Sequence, residues 1–228
     1  MLCIVQARMS SKRFRGKMLE NLSGVSILES VVRRLKLSNC ITKIIIATSV
    51  DYSDDRLAEC CTSLNLNLFR GSLENVASRF RDIIVSENAP SFLRISGDSP
   101  LIDPVLIDKA IELYNSENFD LLTNVSPRTF PKGQSIEILK SATFLSAYNL
   151  MKTSDEFEHV TTLFYSKNDK YKIFNLIAPG NFSDVNLCVD NPEDIKFLEM
   201  VLDYNNGKPA PWIELANLYR VVKSKFSD

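Results

Sequence analysis

The sequence has little of the residue types from which metal sites and glycine-rich phosphate loops are usually built. It contains one histidine, and its five cysteines form no C-x-x-C pair, so we do not expect a zinc site. The odd number of cysteines and their spacing favour reduced thiols, most of them buried. The seven glycines form neither a P-loop, G-x-x-x-x-G-K-[ST], nor the fingerprint G-x-G-x-x-G, so both of these nucleotide-binding loops are excluded.

Excess charge and long apolar runs are also missing. A formal net charge of −1 argues against non-specific binding to nucleic acid or membranes, which needs a basic excess. No apolar run approaches the roughly 20 residues of a membrane span, and the N-terminal residues favour a strand over a signal peptide. With 45% hydrophobic and 24% charged residues, the composition is that of a globular protein. We therefore expect a cytoplasmic protein in which residues 1–228 form one domain.

One short segment departs from this balanced composition. The apolar residues 1–5 predict a buried strand, and residues 8–17 then combine two serines with five cations. These residues are Ser10 and Ser11, and Arg8, Lys12, Arg13, Arg15 and Lys17. A loop after the first strand of an α/β chain lies at the carboxyl edge of the sheet, where such sheets bind ligands. Hydroxyls, backbone N–H groups and cations suit a polyphosphate, although a solvated basic loop without a ligand has the same composition.

Apolar, β-branched runs alternate with amphipathic segments along most of the chain. Strands are predicted at 1–5, 43–48, 66–69, 92–95, 119–123, 135–139, 171–176 and 185–189. Helices are predicted at 27–35, 53–64, 73–85, 104–114, 141–150, 155–166 and 211–223, and from 192 onward. Four of these helices have predicted N-caps, namely Ser26, Ser53, Asp103 and Asn191. This order predicts an α/β fold with a mostly parallel, Rossmann-like sheet between helices, and the break at residue 126 indicates that 126–185 form a small inserted α+β lobe.

Two aspartates each follow the end of a predicted strand. Asp98 comes after the strand at 92–95, and Gly97 before it allows a close backbone approach. Asp190 comes after the strand predicted at 185–189. Two carboxylates facing a basic loop fit a magnesium–nucleotide site, because Mg²⁺ takes one or two protein carboxylates together with phosphate oxygens and water. Alternatively, Asp98 only forms a turn and Asp190 only caps a helix.

Several of these segments resemble one family in the same order. Residues 6–17 resemble Q-A-R-x-x-S-x-R-[LF]-P-G-K, although Arg15 replaces the usual proline. Residues 94–104 resemble R-[IV]-T-G-D-[CS]-P-L-I-D-P, and residues 189–194 resemble V-D-[TN]-P-E-D. These are motifs of the cytidylyltransferases that make CMP-activated sugars: the acylneuraminate and 3-deoxy-manno-octulosonate enzymes, and above all the spore-coat-polysaccharide branch.

The resemblance implies a nucleotide-diphospho-sugar transferase-like fold and Mg²⁺-dependent transfer of CMP from CTP to a sugar acid, with release of pyrophosphate, in surface polysaccharide synthesis. It also implies a homodimer formed through the inserted lobe. Asp98 and Asp190 would bind the metal, and with Arg8 and Lys17 they would be catalytic. The nucleotide would be bound by Gln6, Ala7, Arg8, Ser10, Ser11, Arg13, Lys17, Arg79 and Asp98. Arg79 is included because residues 69–80 resemble F-R-G-x-x-x-[DN]-V-L-x-R-[YF]. The alternative interpretation is that Arg79 is an exposed helix cation.

Two weaker motifs point to an acceptor site. Residues 124–133 resemble N-x-x-P-R-[ST]-[YF]-P-x-G, and residues 158–161 resemble E-H-V-T. The substrate-binding candidates are Arg128, Lys132, Glu137, Glu158 and His159. A surface hairpin for the first segment and a structural role for the single histidine are the alternatives.

The chain departs from the family at two positions on the acceptor side. Ser135 replaces an aspartate that the family often has, and Phe157 replaces an arginine that often precedes E-H-V-T. A nucleotide-binding homologue with impaired catalysis is therefore one alternative function. A glycosyltransferase of related fold is another, although the chain has no D-x-D, the usual metal motif of those enzymes. The acceptor and the general base stay open.

Overall fold

The computed structural model describes residues 1–206 and 210–226. Its main sheet has the strands β1 (Leu2–Gln6), β4 (Lys43–Ser49), β5 (Asn67–Gly71), β6 (Ser91–Ser96), β7 (Leu121–Thr123), β8 (Glu137–Lys140) and β9 (Ile173–Asn175). The strands β2 (Asn21–Leu22) and β3 (Val25–Ser26) form a separate antiparallel pair. The helices are α1 (Ile27–Leu35), α2 (Asp55–Ser63), α3 (Val76–Glu87), α4 (Pro104–Ser116), α5 (Ser141–Tyr148), α6 (Ser154–His159), α7 (Thr162–Ser166), α8 (Pro192–Tyr204) and α9 (Trp212–Phe226).

The sheet is mostly parallel, as predicted. Its seven strands follow the order β5-β4-β1-β6-β8-β7-β9, and β8 alone runs antiparallel to its two neighbours, β6 and β7. In the middle of the sheet β1 pairs with β4 on one side and β6 on the other, which is why its residues are apolar on both faces. The carboxyl ends of β1, β4 and β6 therefore meet at one edge.

Each face of the sheet carries an apolar core. Val5 and Ile95 point to the face covered by α1, α4, α8 and α9. Ile4 and Phe92 point to the opposite face, covered by α3, α5 and α7. The prediction of helices on both faces is confirmed.

In residues 1–206 and 210–226, every helix falls short of the length and apolar character that a membrane crossing requires.

Several predicted boundaries differ from the structure. The cap predicted at Ser53 is wrong, because Asp51 accepts a bond from the backbone N–H of Ser53 and starts a 3₁₀ turn, Tyr52–Asp54, ahead of α2. The helix predicted at 73–85 begins later, since Asn75 caps α3. The helix predicted at 155–166 is two helices, separated by Val160 with φ of 57°.

The strand predicted at 185–189 is also wrong. Among residues 1–206 and 210–226, this segment pairs with no strand of the main sheet and has one isolated bridge, between Asn186 and Lys132. The N–H of Leu187 donates to the carbonyl of Lys132 at 2.8 Å, and that of Val189 donates to the carbonyl of Asp98 at 2.9 Å. Its apolar residues are buried because it crosses the edge of the sheet, and this crossing brings residue 190 next to residue 98.

Residues 126–185, predicted as an inserted lobe, contribute two strands to the main sheet: β8 between β6 and β7, and β9 at the far edge. The role of this region in binding an acceptor or a second copy of the chain stays a prediction.

Candidate active site

Lys17 lies between the two predicted metal-binding aspartates. Its Nζ is 2.8 Å from Oδ2 of Asp98 and 3.4 Å from Oδ1 of Asp190, and it donates to the carbonyl of Val189 at 2.6 Å. Only 6% of Lys17 is exposed, so its ammonium group needs these hydrogen-bond partners. The chain reaches this position because Gly16, with φ of 81°, turns the basic loop into a 3₁₀ turn, Lys17–Leu19.

Asp98 is brought to the basic loop by the glycine before it. The N–H of Gly97 donates to the carbonyl of Gln6 at 2.8 Å, and a Cβ on Gly97 would lie 3.0 Å from both that oxygen and Cβ of Ala7. A side chain at 97 would push β6 away from β1. The predicted close approach therefore occurs, and the hydroxyl of Ser96 fixes the carboxylate by donating to Oδ1 of Asp98 at 2.7 Å.

Asp190 is positioned by the first turn of α8. Oδ2 of Asp194 accepts from the N–H of Asp190 at 2.7 Å and from that of Asn191 at 2.8 Å. The carboxylate of Asp190 is thereby turned toward the basic loop, where Nη2 of Arg13 lies 2.7 Å from Oδ1. Asp194 was not among the predicted site residues, although the capping pattern that starts at Asn191 places an acid at this point of the helix.

Asp54 is a second residue that the sequence did not reveal. It is fully buried, and its Oδ1 accepts from the N–H of Met9 at 2.6 Å. Its Oδ2 accepts from the N–H of Ser49 at 3.1 Å. Asp54 therefore fastens the basic loop to the end of β4. Nothing in the local sequence distinguishes it from the neighbouring aspartates at 51 and 55.

Arg79 lies in the interior. It is 0% exposed and donates through Nη1 to the carbonyl of Ala47 at 3.1 Å. Burial, and then the charge of Arg8, lower the pKa of Arg79 to about 10. Gly71 makes room for it, since a Cβ there would be 2.9 Å from Cγ of Arg79. The alternative of an exposed helix cation is wrong; a contact with the nucleotide stays a prediction.

The other predicted nucleotide-binding residues lie along the same loop. The N–H of Ala7 donates to the carbonyl of Ala47 at 3.2 Å. Oγ of Ser11 accepts weakly from the N–H of Phe14 at 3.4 Å, and Ser10 is half-buried. These contacts shape the loop, and binding of a nucleotide by these residues stays a prediction.

A pocket of about 280 Å³, lined mostly by polar residues, opens at the ends of β6 and β7, and it includes Ser96, which donates to Asp98. Its lining includes Arg94, Ser96, Arg128, Ser135, Glu137, His159, Thr161 and Tyr165. Glu137 is buried and forms a short ion pair with Arg94, and the hydroxyl of Tyr165 donates to its Oε1 at 2.5 Å. Burial, and then the charge of Glu137, raise the pKa of the Tyr165 hydroxyl. Nη2 of Arg94 also donates to Oε1 of Gln6 at 3.0 Å, which links the pocket to the basic loop.

The five predicted substrate-binding residues do not all meet in this pocket. Arg128 lines it and donates to Oγ of Ser135 at 3.0 Å, while burial lowers its pKa. Glu137 also lines it, and His159 lies exposed at its rim, 3.5 Å from Oδ1 of Asp155. Lys132 is exposed and does not line the pocket.

Glu158 contacts the basic loop instead. Its Oε1 lies 2.5 Å from Nη2 of Arg8, and the hydrogen bond from Arg8 lowers the pKa of the Glu158 carboxyl. Phe157, the second departure from the family pattern, packs on Tyr148 with ring centroids 6.1 Å apart and does not line the pocket. Ser135 is therefore the departure that changes the pocket, while Arg94, Thr161 and Tyr165 are lining residues that the prediction missed.

The donor set of the two aspartates fits a magnesium ion. The carboxylates of Asp98 and Asp190 both contact Nζ of Lys17, and each keeps about a quarter of its side chain accessible, 23% and 24%. Within residues 1–206 and 210–226, no group of three or more histidine, cysteine or acidic residues is arranged to hold a metal. Two carboxylates, with phosphate oxygens and water completing the shell, are the ligands that Mg²⁺ takes in phosphate-processing sites.

Comparisons with known proteins identify the family of the chain. A family profile described as Cytidylyltransferase matches residues 2–219. Over 200 residues the chain is 35% identical to an uncharacterized protein of Methanocaldococcus jannaschii, covering 86% of this chain and 81% of that protein. The spore coat polysaccharide biosynthesis protein SpsF of Bacillus subtilis is 29% identical over 215 residues, which make up 91% of this chain and 88% of SpsF.

A solved structure extends the similarity to the whole fold. The structure of a cytidylyltransferase from Leptospira borgpetersenii superposes with a TM-score of 0.90 at 28% sequence identity, covering 99% of this chain and 94% of that one. The strands that bring the basic loop and residue 98 together thus belong to a shared framework.

Proposed function

Because the chain belongs to the cytidylyltransferase family, we propose that it transfers the CMP group of CTP to a sugar acid or a related acidic acceptor and releases pyrophosphate. One observation carries the proposal: Lys17 and the carboxylates of Asp98 and Asp190 converge at the sheet edge, between a basic loop and a polar pocket. The similarity to SpsF supports a role in surface polysaccharide synthesis.

The basic loop supplies the groups for the triphosphate. Arg8, Arg13 and Lys17 would bind the β- and γ-phosphates and stabilise the negative charge that leaves with pyrophosphate. Asp98 and Asp190 would hold Mg²⁺, which when bound neutralises phosphate charge near the reacting phosphorus. Loss of one preorganised charge of this kind typically costs about 10²–10³ in rate.

The pocket beside Asp98 would hold the acceptor. Arg128 has a neutral partner, Ser135, and can therefore bind an anionic group of the acceptor. Arg94 is already paired with Glu137 and would mainly keep that carboxylate in place. Lys132 lies outside the pocket, so we assign the anion to Arg128 alone.

The reaction requires positioning and charge stabilisation rather than a covalent enzyme intermediate. An acceptor oxygen attacks the α-phosphorus of CTP while the bond to pyrophosphate breaks. The short path from the pocket to the loop, through Arg94 and Gln6, lets both substrates be oriented by one rigid set of contacts. We also propose that the protein acts as a homodimer in the cytoplasm.

Thermal stabilisation by nucleotides tests whether the chain binds CTP selectively. Melting temperatures are measured with CTP, UTP, GTP and ATP, each with Mg²⁺, for the wild type and for Asp98→Asn. At about 100 times its dissociation constant, a ligand adds about 2.7 kcal/mol of stability. We expect selective stabilisation by CTP that is strongly reduced in Asp98→Asn.

Asp169→Asn is the matched control. Asp169 is exposed, and its substitution removes one carboxylate that makes no contact with Lys17. It should respond to CTP like the wild type. Stabilisation by none of the four nucleotides would contradict the proposal. If CTP binds selectively, a screen of acidic acceptors for pyrophosphate release follows; binding without release from any acceptor would favour an impaired nucleotide-binding homologue.

A further inference from the structure

Lys17 is held by the same two carboxylates that would hold the metal. Its ammonium group has three N–H donors, and the structure gives it three acceptors: Asp98, Asp190 and the carbonyl of Val189. Arg13 adds a second cation to Asp190 at 2.7 Å. The two aspartates are therefore fully neutralised by side chains of the basic loop.

This arrangement conflicts with a divalent cation in the same place. Mg²⁺ binds carboxylate oxygen at about 2.1 Å. Oδ2 of Asp98 is 2.8 Å from Nζ of Lys17. An ion on this oxygen would thus lie within about 5 Å of the ammonium of Lys17, which is only 6% exposed. Two cations this close repel each other where burial reduces solvent screening, so we expect Lys17 to move when the metal is bound.

Lys17 cannot simply release the carboxylates. With 6% of the residue exposed, an ammonium without partners would be strongly destabilised. It needs a new anion within reach of its flexible four-carbon stem. The phosphates of a nucleotide on the basic loop are such an anion.

We infer that Lys17 and Arg13 act as internal counter-ions of Asp98 and Asp190. When nucleotide phosphates bind, Lys17 and Arg13 leave the aspartates for the phosphates. The site therefore binds its metal together with the nucleotide and not before it. This inference rests on the proposed function and adds a rule for how the site assembles. Lys17 then has two partners in succession: the carboxylates first, and the phosphates afterwards.

The inference has a thermodynamic consequence that can be measured. If phosphates release the carboxylates, the nucleotide raises the affinity for the metal, and the metal raises the affinity for the nucleotide by the same factor. Such couplings typically amount to roughly 5–150-fold. Removing the internal counter-ion should raise metal affinity in the absence of nucleotide and shrink the coupling.

Binding of Mn²⁺ to the nucleotide-free full chain tests this directly. Mn²⁺ is titrated into the wild type, Lys17→Gln, Arg13→Gln and Arg15→Gln, and free Mn²⁺ is followed by electron paramagnetic resonance. We expect Lys17→Gln to bind Mn²⁺ roughly 5–150-fold more tightly than the wild type. Arg13→Gln should bind it more tightly by a smaller factor, because Lys17 remains in place.

Arg15→Gln is the matched control, since Arg15 is an exposed cation of the same loop that makes no ion pair with Asp98 or Asp190 among the described residues. It should bind Mn²⁺ like the wild type. An equal gain in all three variants would overturn the inference, because the loop charge as a whole would then be responsible. Unchanged Mn²⁺ affinity in Lys17→Gln would overturn it as well.

If Lys17→Gln does not fold, Mn²⁺ binding by Arg13→Gln tests the inference instead. The side chain of Arg13 is 65% exposed, so its loss leaves the fold intact, and unchanged Mn²⁺ affinity in this variant would then overturn the inference. Nucleotide binding is measured separately by CTP stabilisation of the wild type. Failure of that stabilisation contradicts the proposed function, whereas normal CTP stabilisation with unchanged Mn²⁺ affinity contradicts the counter-ion role alone.

Discussion

At the scale of single residues, Gly133 lies where the chain passes directly over the backbone of Leu187. Its φ is 88°, and a Cβ there would be 2.5 Å from the carbonyl carbon and oxygen of Leu187. Because backbone atoms cannot rotate aside, Gly133→Ala should displace the segment that leads to Asp190. We expect a loss of about 1–3 kcal/mol in the free energy of unfolding, measured by urea denaturation.

Gly24→Ala tests whether the loss at Gly133 comes from the contact with Leu187 or from the left-handed backbone conformation. Gly24 has a similar φ of 94°, but a Cβ there would meet nothing within 4 Å. This variant should lose only the roughly 1 kcal/mol of a left-handed residue. Equal losses at the two positions would show that the approach to Leu187 is unimportant.

At the scale of elements, the N-terminus of α8 controls the position of Asp190. Asp194 accepts from the N–H groups of Asp190 and Asn191, and its Oδ1 accepts from the side-chain amide of Asn186 at 3.0 Å. Asp194→Ala should weaken the stabilisation by CTP and Mg²⁺, because Asp190 would lose its fixed orientation. It should also cost the free protein about 0.5–2 kcal/mol, the usual value of a lost helix cap.

Glu193→Ala is the control for this element. Glu193 is an exposed acid in the same first turn, so its loss changes the charge of the helix end without releasing Asp190. Melting curves with and without CTP and Mg²⁺ compare the two variants. If Glu193→Ala reduces nucleotide stabilisation as much as Asp194→Ala does, overall charge rather than positioning explains the effect.

At the scale of the whole molecule, two cores on one sheet should unfold as a unit. Phe92 is fully buried in β6, with its ring centroid 5.8 Å from that of Phe80 and 5.3 Å from that of Phe144. Phe92→Ala should lower the free energy of unfolding by about 3–5 kcal/mol. Calorimetry should still show a single transition, since β6 belongs to both cores.

Tyr52→Ala is the matched change on the surface, because Tyr52 is 84% exposed. It should alter stability by no more than about 0.5 kcal/mol. Two resolved transitions in Phe92→Ala would contradict a single cooperative unit. The predicted homodimer concerns this scale too and stays a prediction.

The sequence by itself determined the features that depend on neighbouring residues. Apolar β-branched runs predicted most strands of the sheet within two residues of their ends, because a strand buried on both faces must be apolar throughout. The caps at Ser26 and Asp103 were predicted correctly, since capping bonds span only two or three residues. The basic loop and Asp98 were placed at the carboxyl edge by the parallel order of the strands.

Tertiary structure alone decided which of these residues meet. Lys17 and Asp190 are 173 positions apart, and Arg94 and Glu137 are 43 apart, so no local pattern encodes either contact. The segment before Asp190 has the composition of a strand, yet the strand beside β6 is the antiparallel β8, and the segment instead bonds to Lys132 and Asp98. In the folded chain Arg128 lines the pocket and Lys132 does not. The sequence cannot distinguish them, because both are cations in the same short segment.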